Sequence, residues 1–458
     1  MGERSGDFRE VIHSYSKADA VLEAKRCIQC RRPWCVEACP ITQDCREYIR
    51  LIAAEDFDGA ARVTLRDDPL ASTLCKVCYH YCEDSCVVGK KGVPVAIRHL
   101  KRAAIDHGTH DLVYVASKPK AQRIAVVGAG PAGLMAAWEL AVRGYPVTVY
   151  EQESQPGGLV RTIPAYRMSM DDLATDLERF RELDVTFVLG TKVGRDLAPG
   201  ALLKEGFAAV FVSIGTPAHR ILGVPWENLP GVIPALGFLR RANEGAPLPV
   251  GKEIVVIGGG DVAMDSVRTA LRLSGGGHVT LVYRRSREEM PADAEEFEGA
   301  KHEGISFQFL RAPVRIVGQK HVEGLVVQAM ELGPPDAGGR RSPIPVPGSE
   351  TTIPCDTVLV AVGQKADTTG FGAEWGLRLA SQGWPEGAGP AYRTAIPGVF
   401  AAGGRSVVYA MGAAMEAAAA IDAYLAEKRG EAPTPRPDPF GGNGSFHLPA
   451  GYTKPIRV

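Results

Sequence analysis

Nine of the ten cysteines fall between Cys27 and Cys86, eight of them in two runs whose spacing suits a metal–sulfur centre. The first run is Cys27-x2-Cys30-x4-Cys35-x3-Cys39, followed by Pro40, and the second is Cys75-x2-Cys78-x3-Cys82-x3-Cys86. Thiolates at such intervals can wrap an iron–sulfur cluster. A last cysteine followed by proline is a ferredoxin-like signature, in which that thiol serves the other of two clusters. Zinc also takes C-x2-C pairs, but normally as two pairs of two, whereas these are runs of four. The eight cysteines of the two runs are therefore candidate ligands for two [4Fe-4S] clusters.

Downstream, two stretches share a second pattern of strand, glycine turn, helix and strand. In Arg123–Glu151 the turn is Gly128-Ala-Gly130-Pro131-Ala132-Gly133. The first glycine permits a tight turn, the second lets backbone approach a pyrophosphate, and the third allows close helix–strand packing. The phosphates then sit at the helix N-terminus. The second strand ends at Glu151, beside Gln152, where an acid can bind ribose hydroxyls. In Glu253–Arg285 the turn is Gly258-Gly-Gly260-Asp261-Val262-Ala263, and the second strand ends at Arg284-Arg285. Two guanidiniums there suit the 2′-phosphate of NADP, because the planar fork of arginine matches phosphate. Two such units predict two dinucleotides, with NADP(H) favoured over NAD(H) at the second.

The segment Gln155-Pro-Gly-Gly158-Leu159, followed by Ile163-Pro-Ala-Tyr-Arg167, resembles the flavin-binding part of the glutamate synthase small (beta) subunit family. The flavin-bearing large subunit of NADH-dependent ferredoxin–NADP oxidoreductase and the N-terminal part of dihydropyrimidine dehydrogenase are close relatives there. Glu288-Glu-Met-Pro291, Gly339-Arg-Arg-Ser-Pro343 and Pro347-Gly-Ser349 match the same family. The resemblance implies FAD at the first site, and Gly158, Leu159, Arg167, Gly363, Gly403 and Gly404 join the cofactor-binding residues. It also divides the thiols, giving one all-cysteine cluster to Cys39, Cys78, Cys82 and Cys86. Cys27, Cys30 and Cys35 match three ligands of the other, whose fourth ligand in dihydropyrimidine dehydrogenase and its kin is Glu or Gln. That position falls at Lys101 here, a poor iron ligand, and Cys75 is the expected replacement ahead of Cys45 and His99. A second departure lies at Phe400-Ala-Ala-Gly403-Gly404-Arg405, where relatives carry an aspartate at the position of Gly404. Arg405 is the residue expected to reach phosphate in its place.

The elements that must position these groups follow from composition. Amphipathic stretches at Ala18–Arg26 and Ala96–Asp106 make residues 1–118 a mainly helical iron–sulfur domain. His110–Gln122 reads as a linker. Beyond it, short β-branched runs alternate with helices, which signals α/β layers around a mainly parallel sheet. The expected fold class is α/β, with two Rossmann-like dinucleotide-binding domains. The FAD domain (119–250 and 357–430) is split by the NAD(P) domain (251–356), and a Pro/Gly-rich tail (431–458) is disordered or laid against a partner.

Charge and composition narrow the function classes. Lys plus Arg number 52 against 53 for Asp plus Glu, so bulk charge gives no nucleic-acid or anionic-membrane surface. Ile124–Val142 is apolar enough to suggest a membrane span, but Gly128, Gly130, Pro131 and Gly133 interrupt it. The polar start has no signal peptide, which points to the cytoplasm, where thiols stay reduced and crowded cysteines serve metal or redox chemistry. The α/β part holds a single cysteine, Cys355, and one thiol cannot form the redox pair of a disulfide reductase. The expected function is an oxidoreductase subunit passing electrons between NAD(P)H, FAD, two clusters and a catalytic partner. Candidate partners are a 2-oxoacid:acceptor oxidoreductase, a glutamate synthase large subunit and a ferredoxin-like subunit. The alternative is a non-catalytic electron-transfer or assembly subunit with a degenerate flavin site.

Overall fold

The computed structural model describes residues 6–110, 114–336, 338–380, 383–387 and 389–440. The chain divides into two compact units, the smaller interrupting the larger in sequence.

The larger unit comprises the described parts of Ile12–Val160, Met170–Pro217 and Ala366–Val458. Its first part is helical, with Lys17–Ala24, Cys45–Ala53, Phe57–Asp67, Ala71–Val77 and Ile97–His107 as main helices and Trp34–Ala38 and Tyr81–Asp84 as short ones. Ser16, Asp44 and Asp56 start three of them, their side chains accepting from the backbone of Asp19, Glu47 and Gly59. Such caps satisfy N–H groups that the first helical turn leaves unpaired. Tyr48, Ile49 and Ile52 from one helix and Leu100, Ala103 and Ala104 from another recur at helical spacing and bury a common core.

The same unit holds a five-stranded parallel sheet in the order Val399–Ala401, Ala209–Val212, Ile124–Val127, Val147–Tyr150, Val185–Val188. Two of its inner strands, Ile124–Val127 and Ala209–Val212, are buried along their whole length, as a parallel sheet covered on both faces requires. The helices Pro131–Val142 and Val407–Arg429 share one core with it, and Ile41, Leu70 and Leu74 of the helical part belong to that core too. The strand Ile124–Val127 lies between the strands that follow it on either side. The crevice at its carboxyl end is therefore a topological switch point, where ligands of open α/β sheets bind.

Two segments expected to be loose are held. In the linker, Tyr114 is buried edge-on against Trp138, ring centroids 4.9 Å apart, and the Ser117 N–H donates to the Val142 carbonyl at 2.8 Å. In the tail, Arg436 pairs with Glu139 at 2.7 Å and with Asp67 at 3.4 Å, and Phe440 packs on Tyr114. The expectation of a tail that is disordered or laid on a partner therefore fails for residues 431–440. Two buried carboxylates hold it on its own chain, since a buried charge needs a counter-charge. The remainder, 441–458, lies outside the described residues.

The smaller unit comprises the described parts of Met1–Val11, Arg161–Ser169 and Ala218–Lys365. Its parallel sheet runs Val232–Pro234, Thr357–Val360, Glu253–Ile257, His278–Tyr283, Ser306–Phe309. An antiparallel sheet is built on Gly324–Pro335, which pairs with Arg311–Val317, Arg341–Pro345 and Thr351–Pro354. The two short segments bond to each other, the Val11 N–H donating to the Tyr166 carbonyl at 2.9 Å. They also bond to the rest of the unit, the Arg272 guanidinium donating to the Asp7 carbonyl at 2.7 Å and Arg167 pairing with Asp265 at 2.9 Å. Among the described residues, no helix is long and apolar enough to cross a membrane.

Candidate cofactor sites

In the larger unit, Gly128, Gly130 and Gly133 form the turn between the strand Ile124–Val127 and the helix Pro131–Val142. Space is the reason for glycine: a Cβ on Gly133 would stand 1.8 Å from the Gly128 carbonyl oxygen, and one on Gly128 2.6 Å from that of Ser213. Gly128 also has φ +101°, a region that favours glycine. Gly130 starts the helix with no side-chain cap and Pro131 follows it, so the first N–H groups are left to a ligand. Gly158 lies against this turn, a Cβ on it falling 2.8 Å from the Gly130 Cα. Glu151 is buried, its carboxylate accepting from the Ala129 N–H at 2.7 Å and the Glu153 N–H at 3.0 Å. It ties strand end to turn while keeping acceptor capacity for ribose hydroxyls. An uncapped helix start, bare backbone and a buried acid together fit the pyrophosphate and ribose of FAD.

Leu159 lies in the turn Gly158–Thr162, and Gln152 donates to Glu153. Arg167, in the smaller unit, is buried between Asp265 (2.9 Å) and Glu296 (2.8 Å), an ion pair that commits it to structure. Gly403 and Gly404 follow the strand Val399–Ala401. A Cβ at Gly404 would stand 2.3 Å from the Ala410 nitrogen, so the helix start leaves no room for a side chain there. Arg405 lies over the Tyr409 ring at 4.4 Å.

In the smaller unit Gly258, Gly259 and Gly260 turn between the strand Glu253–Ile257 and the helix Asp261–Leu273. A Cβ on Gly258 would meet the Ala361 carbonyl oxygen at 2.3 Å, and one on Gly259 the Tyr283 ring at 2.4 Å. Gly260 starts this helix with no side-chain cap, Val262 lies in its first turn and Ala263 is buried beneath. Burial, with Asp265, Asp293 and Glu296 nearby, pushes the Asp261 carboxyl up to about 7. Gly363, at φ +112°, lies beyond the strand Thr357–Val360.

The arginine pair divides. Arg285 is buried, its guanidinium donating to Asp336 at 2.6 Å and to the Arg341 carbonyl at 2.7 Å. It is spent on the antiparallel sheet, which corrects the expectation that both arginines face a 2′-phosphate. Arg284 is exposed at the strand end and remains for that role.

The thiols also divide, but not along the two runs. Cys27, Cys30, Cys35 and Cys86 line one open-sided cavity. Cys39, Cys78 and Cys82 form a second set, Cys82 buried and the other two half-buried. Cys39 and Cys78 lie near the ammonium of Lys101, whose Nζ donates to Asp68 at 2.6 Å. Burial pushes the Cys78 thiol up to about 12. Lys101 stays charged: burial opposes its charge, but the Asp68 carboxylate more than reverses that. Cys45 starts the helix Cys45–Ala53, its thiol engaged with those of Cys35 and Cys82. Cys75 was expected with Cys27, Cys30 and Cys35, but it donates to the Ser72 carbonyl at 3.4 Å within its own helix. Cys86 stands in the cavity instead. Among the described residues no three His, Cys, Asp or Glu side chains are placed to share one ion. The cavity thiols ring an open space, which fits a cluster several atoms across.

Sequence reasoning missed the roles of Asp68 and Asp336. Each lies more than 30 residues from its basic partner, with no local signal to announce the pairing.

Comparisons with known proteins bear on the same regions. Residues 4–112 match the family described as dihydropyrimidine dehydrogenase domain II, 4Fe-4S cluster, and residues 122–423 match the pyridine nucleotide-disulphide oxidoreductases. The chain is 37% identical over 428 residues to an NADP(+)-dependent formate dehydrogenase subunit beta of Moorella thermoacetica, covering 85% of this chain and 60% of that subunit. It is 33% identical over 421 residues to a glutamate synthase [NADPH] small chain of Halomonas elongata, covering 87% of this chain and 88% of that one. In fold it is similar to Mycobacterium tuberculosis FprA in complex with NADPH. The TM-score is 0.58 at 22% identity, covering 70% of this chain and 88% of that one.

Proposed function

The chain belongs to the glutamate synthase small-chain family, and from that premise we propose that it is the electron-input subunit of a larger oxidoreductase. It takes electrons from NADPH and delivers them one at a time to a partner. The observation that carries this reading is the coexistence, on one chain, of two uncapped glycine-started helices and two sets of thiols. When bound, FAD supplies the conversion between a two-electron hydride donor and one-electron iron–sulfur carriers.

The chain's own residues bind and orient. The first-turn N–H groups beyond Gly130 receive the FAD pyrophosphate, and Glu151 holds its ribose. The turn at Gly258–Gly260 receives the nicotinamide dinucleotide, with Arg284 on the 2′-phosphate. The names of both relatives specify NADP(H), which supports that preference. Cys27, Cys30, Cys35 and Cys86 hold one [4Fe-4S] cluster, and Cys39, Cys78 and Cys82 hold the second beside the Lys101–Asp68 pair. No acid–base or nucleophilic group is required of the protein.

The partner is a catalytic subunit in the cytoplasm, such as a glutamate synthase large subunit or a 2-oxoacid:acceptor oxidoreductase. The chain spans 60% of the formate dehydrogenase subunit it matches, so that protein's substrate is not transferred to it.

Anaerobic purification from the native source tests the reading. It should yield flavin absorbance, iron and sulfide for two clusters, a copurifying partner, and NADPH oxidation with an artificial dye. Colourless protein unable to reduce the dye would overturn it and favour the non-catalytic alternative.

A further inference from the structure

The cavity of Cys27, Cys30, Cys35 and Cys86 opens on surface that the proposed cofactor path leaves unused. Three large apolar side chains stand out from it: Ile28 (63% exposed), Trp34 (42%) and Val93 (73%). Ile28 and Trp34 line the mouth itself. Val93 is tied to the same rim, because the Arg26 guanidinium donates to its carbonyl at 2.5 Å. Exposed apolar side chains scattered singly carry no message, but a group around a functional opening marks an interaction site.

This group is interleaved with exposed cations. Arg31 lies between Cys30 and Trp34 in sequence. Lys90 and Lys91 close the short helical turn Val87–Lys91 that starts next to Cys86. The Arg32 guanidinium stacks over the Trp34 ring at 3.8 Å, but it is ion-paired with Glu37 at 2.8 Å. It therefore holds the ring in place, and the unneutralised charge falls to Arg31, Lys90 and Lys91. The whole chain carries a net charge of only −1, so the collar is a local feature and not a consequence of composition.

We infer that this collar is the docking surface for a small acidic iron–sulfur protein of ferredoxin type, which exchanges electrons with the cluster held in the open cavity. The inference rests on the electron-input reading above and names the surface through which electrons leave. A cationic rim steers an anionic partner and excludes cationic ones. Trp34 and Ile28 supply the apolar centre that such an interface needs, with Trp and Arg as typical anchors. Each encounter moves one electron: the cluster of the open cavity is oxidised by one, the carrier's cluster is reduced by one, and no bond or proton changes place.

The test uses the full chain and a plant-type [2Fe-2S] ferredoxin as the acidic probe, with binding measured by calorimetry at low salt. Reduction of an artificial dye by NADPH is followed in parallel. Wild-type binding should weaken as salt rises. The double change Lys90→Glu, Lys91→Glu should weaken it by roughly tenfold or more, as should Arg31→Glu separately, with dye reduction unchanged in both. Lys204→Glu, at an exposed lysine elsewhere, should leave binding intact. The docking surface is overturned if wild type does not bind, if the collar variants bind within about twofold of wild type, or if Lys204→Glu weakens binding equally. Wild type that binds the ferredoxin but reduces no dye would strike the electron-input reading alone.

Discussion

The two thiol sets lie within 60 residues of sequence, yet their surroundings are opposite. Cys27, Cys30, Cys35 and Cys86 line a cavity that opens to solvent among apolar side chains and Arg46. Cys39, Cys78 and Cys82, of which only Cys82 is fully buried, lie beside a buried ammonium–carboxylate pair. Identical ligands thus meet two environments, and solvent exposure and nearby charge are what set a cluster's potential. The contrast is one of setting: one set faces an open cavity at the surface, and the other lies against a buried charge pair.

The sharpest way to break this comparison is to remove a thiol from each side of the proposed division. Cys86→Ser should abolish the open-set cluster and with it about half of the iron, read by metal analysis and electron paramagnetic resonance. Cys75→Ser should retain full iron and an unchanged spectrum. The reverse result would restore the division by runs.

The second set has its own test in Lys101→Ala. This change leaves the Asp68 carboxylate, which has no solvent exposure, without its counter-charge. Breaking a buried pair by removing one partner costs about 3–5 kcal/mol. Chemical denaturation of the metal-free protein should show a loss of that order, and Lys101→Met with Asp68→Asn should recover part of it. A loss below about 1 kcal/mol would mean that solvent reaches the pair, and the two sets would then not differ as described.

The pH response gives a smaller effect with a definite sign. Burial raises the Cys78 thiol from its ordinary 9.0 to about 12 in the folded chain. The unfolded chain therefore loses that proton first, and metal-free stability should fall as pH rises from about 9 towards 12. Cluster loading removes the thiol proton altogether, so the loaded protein should not show this fall. Denaturation midpoints at pH 8 and pH 10, with and without metal, check both halves.

The parts of this arrangement legible in sequence are those set by local spacing. The glycine turns could be placed because strand, turn and helix are contiguous, and Gly128, Gly133 and Gly258 meet backbone only a few ångströms away. The helices Lys17–Ala24 and Ile97–His107 followed from amphipathic periodicity for the same reason. Which thiols converge was not legible. Cys75 and Cys78 are one helical turn apart, but Cys78 follows the end of the helix Ala71–Val77 with extended backbone, and the two thiols part there. The tail was misread because its anchor, Arg436, depends on Glu139, which lies 297 residues away.

The same distinction between open and committed side chains divides Arg284 from Arg285, and there the smallest effects are expected. Arg285 gives up its guanidinium to Asp336 and the Arg341 carbonyl, two bonds that hold the antiparallel sheet. Arg285→Lys keeps the charge but cannot reproduce the fork, so it should cost about 1–2 kcal/mol of stability and leave the KM for NADPH nearly unchanged. Arg284 is exposed and shares neither of those bonds. Arg284→Ala should leave stability unaltered and raise the KM for NADPH by roughly tenfold, the worth of one charge-assisted contact, with little change for NADH. Preference between the two nucleotides is then a property of one arginine, and it should move with Arg284 alone. A shift in preference on changing Arg285 would show that the Asp336 pair opens when nucleotide binds, and that burial in the free protein does not decide which arginine reads the phosphate.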